Sequence, residues 1–288
     1  MNKYIILTDS SCDLPQAKYD QHGIDYVPLT VNLDGKDYTN YADWREIEPR
    51  AFYDELRAAK PAKTSAANTD QFKAAMQPHL EAGEDILYIG FTTGLSGTFN
   101  AGRLAGEELM EQYPGRKIIC VDSLCASLGQ GLLVDMAAEK KASGATIEEC
   151  AQYIEDNKLN LAHWFTVDDL FYLHRGGRVS KTTAIVGSAL GITPVMHVDN
   201  EGKLVKVDVA RGRKNSIKRL LDRMRASKIS LDRVYISHGD CLEEAQMLMD
   251  MVTKEFEVKQ TLINHVGPVI GAHSGPGTMA LFFLASER

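Results

Sequence analysis

Three stretches of the chain bring together residue types suited to holding an anion. Thr92-Thr93-Gly94-Leu95-Ser96-Gly97-Thr98-Phe99-Asn100 follows an apolar run ending at Phe91 and precedes a helical pattern. A helix start leaves backbone N–H groups unpaired and carries the positive end of the helix dipole. Gly94 and Gly97 let a ligand approach the main chain, and Ser96 adds a hydroxyl at the carboxyl end of a strand, where open α/β sheets bind ligands. The same residues also suit an ordinary N-cap and tight turn. Thr64-Ser65, in a polar loop after Pro61 between two helical patterns, offers two more hydroxyls for a carboxylate, or a capping segment. Residues 267–277 (GPVIGAHSGPG) place His273 in a backbone that Gly and Pro make irregular. A histidine there can bond an anion, titrate near neutral pH or be held by loop carbonyls.

Two basic stretches accompany these. Arg175-Gly176-Gly177-Arg178 follows the acidic pair Asp168-Asp169. The planar fork of arginine matches carboxylate and phosphate, although the acidic pair also suits capping the next turn and pairing with Arg178. Arg211-Gly212-Arg213-Lys214 reads as a partner or phosphate surface, or as a solvated face. Residues 94–98 are not the G-x-S-x-G nucleophile elbow, because Thr98 stands at the last glycine position. Neither a P-loop nor a G-x-G-x-x-G fingerprint follows a strand, so nucleotide binding has no support. The five cysteines, Cys12, Cys120, Cys125, Cys150 and Cys241, lack CxxC spacing, which argues against a disulfide framework or zinc site. Cys12 has no basic neighbour to make it a nucleophile, and Asp9 reads as part of an Asx/Ser turn.

The elements that position these residues alternate. Strand-length apolar runs at 4–8, 26–33, 86–91 and 117–121 are interleaved with helical patterns at 51–59, 71–80, 98–112 and 128–141. That order implies an N-terminal, mainly parallel α/β/α sandwich. Pro78 is expected to kink or end its helix, and Thr146 with Glu149 forms a capping box for another. From about residue 158 the pattern changes. Runs at 195–198 and 204–209 flank Asp199-Asn200-Glu201-Gly202, a hairpin signal, so antiparallel pairing is expected in the second half. Further strands at 163–167, 234–237, 258–263 and 278–284, with helices at 216–226 and 242–256, complete a C-terminal α/β unit. The expected domains are 1–157 and 158–288.

At 288 residues, 44% hydrophobic and 25% charged, the composition is that of a globular protein. A formal charge of -7 argues against broad nucleic-acid binding. The opening apolar run reaches Asp9 too soon for a signal peptide or a membrane span, so a cytoplasmic location with at most transient membrane contact is expected.

Taken in order, TDSSCDLP, KTSAAN, TTGLSGTFNAG, VDSLCASLGQG, DDLFYLHRGGRVSK, ARGRK and GPVIGAHSGPG resemble the DegV family across essentially the whole chain. Ala66-Ala67-Asn68 and Thr193 depart from the family pattern. The resemblance implies a two-domain α/β fold with a long-chain, palmitate-like fatty acid between or within the domains. It implies that Thr64, Ser96 and His273, with Ser65 as neighbour, contact the carboxylate, and that no metal or other cofactor and no catalytic residue is needed. It further implies an ATP-binding kinase partner that phosphorylates the bound carboxylate, met through Arg175 and Arg211, as in the fatty-acid-binding subunit of bacterial fatty acid kinase. Two alternatives stand beside this: a stand-alone hydrolase or small-molecule phosphotransferase using Ser96 and His273, and a passive lipid store or sensor.

Overall fold

The computed structural model describes residues 3–187, 192–286 and 288. At its centre β1 (Tyr4–Asp9), buried along its whole length, joins β2 (Ile24–Val27), β6 (Asp85–Gly90) and β7 (Ile118–Asp122) in a parallel sheet of order β2-β1-β6-β7. Successive side chains of a strand point to opposite faces. Ile5, Leu7, Ile86 and Tyr88 therefore pack with Phe72, Met76 and Leu109 of α3 (Thr69–Glu81) and α4 (Thr98–Gln112). Tyr4, Ile6, Leu87 and Ile89 face the other way, onto α5 (Leu128–Ala142) and α6 (Ile147–Asn157). Cover on both faces explains why these strands read as continuous apolar runs.

A second sheet belongs to residues from 161 onward. Its order is β10-β9-β8-β13-β11-β12, from β8 (Leu161–Thr166), β9 (Ile192–Val198), β10 (Leu204–Arg211), β11 (Lys228–His238), β12 (Gln260–His265) and β13 (Met279–Ala285). All pairings are antiparallel except β11 with β12, and β9–β10 is the expected hairpin. One face, with Trp164, Ile236, Leu281 and Phe283, packs on α9 (Arg213–Ser227) and α10 (Leu242–Glu255). The opposite face, with Phe165, Tyr235 and Phe282, packs on α5. α5 thus lies between the two large sheets, and residues 128–138 are buried without a break. A helix apolar on every side needs such a position.

Several expectations are corrected. The run 26–33 is two strands, β2 and β3 (Thr30–Leu33), parted at Pro28-Leu29 where the chain leaves the parallel sheet. Antiparallel pairing also occurs in the first half, because β3 sits between β4 (Lys36–Thr39) and β5 (Ala62–Ser65). Thr64-Ser65 is therefore strand, paired with Val31 and Thr30, rather than loop. The stretch expected to be irregular contains α11 (Pro268–Ser274), with proline in its first turn where no N–H is needed. Pro78 does not end α3, which continues to Glu81. The Thr146–Glu149 capping box is present. α1 (Gln16–His22), α2 (Pro49–Arg57), α7 (Leu170–Arg175) and α8 (Lys181–Gly187) complete the set.

Candidate functional site

β5, the β6–α4 junction, the turn after α7 and the face of α11 enclose a cavity of about 330 Å³. Leu29, Phe91, Phe165, Leu173, Val269 and Phe282 give its walls an apolar character. Thr64, Ser65, Ser96 and His273, the four residues expected to meet a carboxylate, all line it, together with Arg178.

A chain of contacts holds these polar groups in one cluster. Thr64 Oγ1 lies 2.7 Å from His273 Nε2. The ring of His273 rests on Gly176, where a Cβ would fall 2.2 Å from Nδ1, so the glycine makes room for the imidazole. Arg178 donates from Nη1 to the Gly176 carbonyl and from Nε to the Leu95 carbonyl at 3.2 Å, next to Ser96. Ser96 Oγ accepts from the Thr98 N–H at 3.2 Å, and Gly97 opens α4 with no side-chain cap. Gly94 serves differently from expectation. Its Cα approaches the Gly202 carbonyl of the β9–β10 hairpin, where a Cβ would come within 2.6 Å, so it permits packing rather than ligand approach.

The cluster favours an anion. Burial, reinforced by the nearby Arg178 charge, pushes the His273 imidazole down to about 4, so it is neutral at pH 7 and bonds without adding charge. Burial also lowers the pKa of Arg178, but guanidinium keeps its charge in proteins. Among the described residues no acidic side chain forms an ion pair with Arg178. A half-buried cation bonded only to carbonyls is a ready counter-charge for a carboxylate.

The remaining candidates are placed less centrally. Arg175 is exposed, with its guanidinium 4.4 Å from the Tyr172 ring centroid. It lines a groove that shares Thr64, His273 and Arg178 with the cavity and adds Lys60 and Lys63. Arg211 is exposed at the end of β10 and lines neither space. Its neighbour Arg213 pairs with Asp168 at 3.3 Å and Glu244 at 2.8 Å. Asp168 therefore does not pair with Arg178, whereas Asp169 caps α7 through the Phe171 N–H. Asp9 accepts from the Ser11 and Phe91 N–H groups, as its turn requires. Cys12 is buried and its thiol is pushed up to about 12. The Arg-Gly-Gly-Arg run pointed to both arginines as anion ligands, and the resemblance singled out Arg175, whereas it is Arg178 that lines the cavity. Residue-by-residue reading passed over the wall residues Ser127 and Ser237. Among the described residues no group of three His, Cys, Asp or Glu side chains is arranged to hold a metal ion, and no helix is long and apolar enough to cross a membrane.

A cavity walled by the large antiparallel sheet, β5, α11 and the residues just beyond β1 and β6, apolar along its walls and polar in one cluster, defines an α/β protein built about an amphipathic cavity. The family model described as uncharacterised protein, DegV family, matches residues 3–286, and the chain belongs to the DegV family. A DegV domain-containing protein of Clostridium perfringens is 41% identical over 290 residues, covering 100% of this chain and 99% of the relative. A Thermus thermophilus DegV family protein, solved for its fatty-acid binding, is 30% identical with a TM-score of 0.88 over 99% of this chain and 100% of its own. Bacillus subtilis DegV, a fatty-acid-binding protein, is 25% identical with a TM-score of 0.85 over 99% of this chain and 100% of its own. The fatty acid kinase B3 protein of Streptococcus pneumoniae, loaded with linoleic acid, shares the fold at 22% identity and a TM-score of 0.86, covering 98% of this chain and 99% of its own.

Proposed function

We propose that this chain encloses one long-chain fatty acid, tail along the apolar walls and carboxylate at Thr64, Ser65, Ser96 and His273, and presents that carboxylate to an ATP-binding kinase subunit. The observation that carries the reading is Arg178, a half-buried cation with no acidic partner among the described residues, beside the Thr64–His273 pair. The fatty-acid ligands of similar proteins support the same class of ligand. Burying about fourteen methylenes is worth on the order of 11 kcal/mol gross at about 0.8 kcal/mol each. Ordering and association remove much of this, and the polar cluster fixes orientation. In the tautomer protonated at Nε2, neutral His273 donates to Thr64 Oγ1 and leaves the Thr64 hydroxyl hydrogen for the carboxylate.

In the kinase step a carboxylate oxygen attacks the terminal phosphoryl group of ATP, forming the acyl–phosphate bond as the bond to ADP breaks. The nucleophile carries no proton, so the chain needs no base, and positioning is its contribution. The groove beside the cavity, with Lys63 and Arg175, is the proposed approach for the phosphoryl donor, and Arg211 is assigned to the partner surface. A stand-alone hydrolase fits less well, since Ser96 Oγ bonds Thr98 and His273 Nε2 is engaged by Thr64. Mass spectrometry of lipid released from gently purified protein tests the binding reading. Near-stoichiometric fatty acid supports it, and none after incubation with a fatty-acid mixture rejects it. Acyl-phosphate formation on adding a fatty acid kinase subunit and ATP tests the second part.

A further inference from the structure

Two hydroxyls late in helices of this chain are engaged by their own backbone. Thr253 Oγ1, near the end of α10, donates to the Met249 carbonyl at 3.0 Å, and Ser227 Oγ, on the last residue of α9, donates to the Arg223 carbonyl at 3.0 Å. The carbonyl four residues back is a common acceptor for such a side chain. Ser274, the last residue of α11, has the same opportunity with Ile270 and does not take it. The residue is only 5% exposed, and its Oγ is buried with no hydrogen-bond partner among the described residues.

Ser274 lines the cavity beside His273. Consecutive Cα atoms stand about 3.8 Å apart, so Ser274 belongs to the polar end that His273 shares with Thr64. The same wall supplies a contrast, since Thr278 Oγ1, four residues on, donates to the Gly275 carbonyl at 2.8 Å. A buried hydroxyl left unpaired lowers the stability of the empty protein, and the alkyl tail of a ligand offers it nothing. A carboxylate does, because its two oxygens accept several donors. Those oxygens are not equivalent here. Thr64, His273 and Arg178 line both the cavity and the groove beside it, whereas Ser96 and Ser274 line the cavity alone.

Resting on the fatty-acid reading above, we infer that Ser274 is a further ligand-binding residue, whose hydroxyl donates to the carboxylate oxygen turned away from the groove. With Ser96 it holds that inner oxygen, and the outer oxygen is left facing the groove assigned to the phosphoryl donor. Ser274 therefore acts in opposite directions on the two forms of the protein. Its hydroxyl destabilises the empty cavity and anchors the loaded one.

Delipidated full-length protein and its Ser274→Ala and Thr278→Val variants are compared by thermal melting and by titration with octadecanoic acid. Ser274→Ala is expected to melt at or above the wild-type temperature and to bind the acid about tenfold more weakly, the worth of one hydrogen bond to a charged acceptor. Thr278→Val, which loses a bond within the protein, is expected to melt lower and to bind within about twofold of wild type. Wild-type affinity in Ser274→Ala overturns the assignment, and so does a melting temperature below wild type, because the hydroxyl would then be engaged by the protein. An equal loss of affinity in both variants also overturns it, because any change to this wall would then suffice. Failure of the wild-type protein to bind octadecanoic acid or any of a mixture of long-chain acids overturns the fatty-acid reading itself.

Discussion

Thr64 Oγ1 and His273 Nε2 lie 2.7 Å apart across 209 positions of sequence. One is on β5 of the small antiparallel sheet and the other on α11, which follows the last-but-one strand of the large one. The contact ties the small antiparallel sheet to α11 at the polar cluster, so substitutions there are followed by both ligand affinity and stability.

Thr64→Ala combined with Ser96→Ala removes two hydroxyls from the cluster without opening an apolar void. Fatty-acid affinity is expected to fall tenfold to a hundredfold, on the order of 1–3 kcal/mol for donors lost to a charged group. The thermal midpoint of the ligand-free protein should move little. Fluorescent fatty-acid displacement and a melting curve read the two effects, and unchanged affinity places the carboxylate elsewhere.

Arg178→Gln keeps a hydrogen-bonding side chain and deletes the charge. Binding of a fatty acid should weaken at least tenfold while binding of the matching fatty alcohol is nearly unaffected, since only the acid needs a counter-charge. Equal losses for acid and alcohol would mean that Arg178 acts by shaping the cavity.

Gly176→Ala places a methyl group where a Cβ would be 2.2 Å from His273 Nδ1. The backbone there tolerates alanine, with φ -72, so the cost is displacement of the imidazole or of the turn. Overpacking of this kind costs about 1–3 kcal/mol. Weaker fatty-acid binding together with a lower melting temperature is expected, measured by calorimetry with and without ligand.

Asp13 links stability to pH. Its carboxyl, ordinarily near 3.8, is pushed up to about 8 by burial, so between those values the folded protein holds a proton that the unfolded chain releases. Stability from this group is full below about 4 and is lost as pH rises toward about 8. Asp13→Asn keeps the neutral hydrogen-bonding pattern, and asparagine suits its φ of 54. The melting-temperature difference, variant minus wild type, should grow as pH rises from 5 to 8; a flat difference would rule the linkage out.

Much of the framework was readable from periodicity. α4 begins and ends where its pattern does, and β1, β6 and β7 lie within a residue or two of their apolar runs. The long buried stretches are legible because both faces are covered and no other element type explains them. The small sheet was not, because β5 alternates half-buried and exposed residues over only four positions and looks like a polar loop. α11 was hidden by its glycines: Gly271 is required where a Cβ would meet the Tyr53 hydroxyl at 2.6 Å, a fact that belongs to packing rather than to local propensity. At the site the hydroxyls and His273 were legible as chemical types. The position of Arg178 was not, since a turn of two glycines decides which of two nearby arginines faces inward.

The burial of α5 on every side has a consequence for how the molecule comes apart. Residues 128–138 lie between the two large sheets, so neither sheet can be lost without exposing an apolar face of the helix to water. Unfolding is expected as a single cooperative transition, and a fragment ending at residue 157 should aggregate rather than persist as a native-like half. On the proposed reading, a ligand in the cavity, whose walls draw on the large antiparallel sheet and on residues just beyond β1 and β6, then raises the stability of the entire chain, and loading with fatty acid is expected to lengthen its lifetime against proteases.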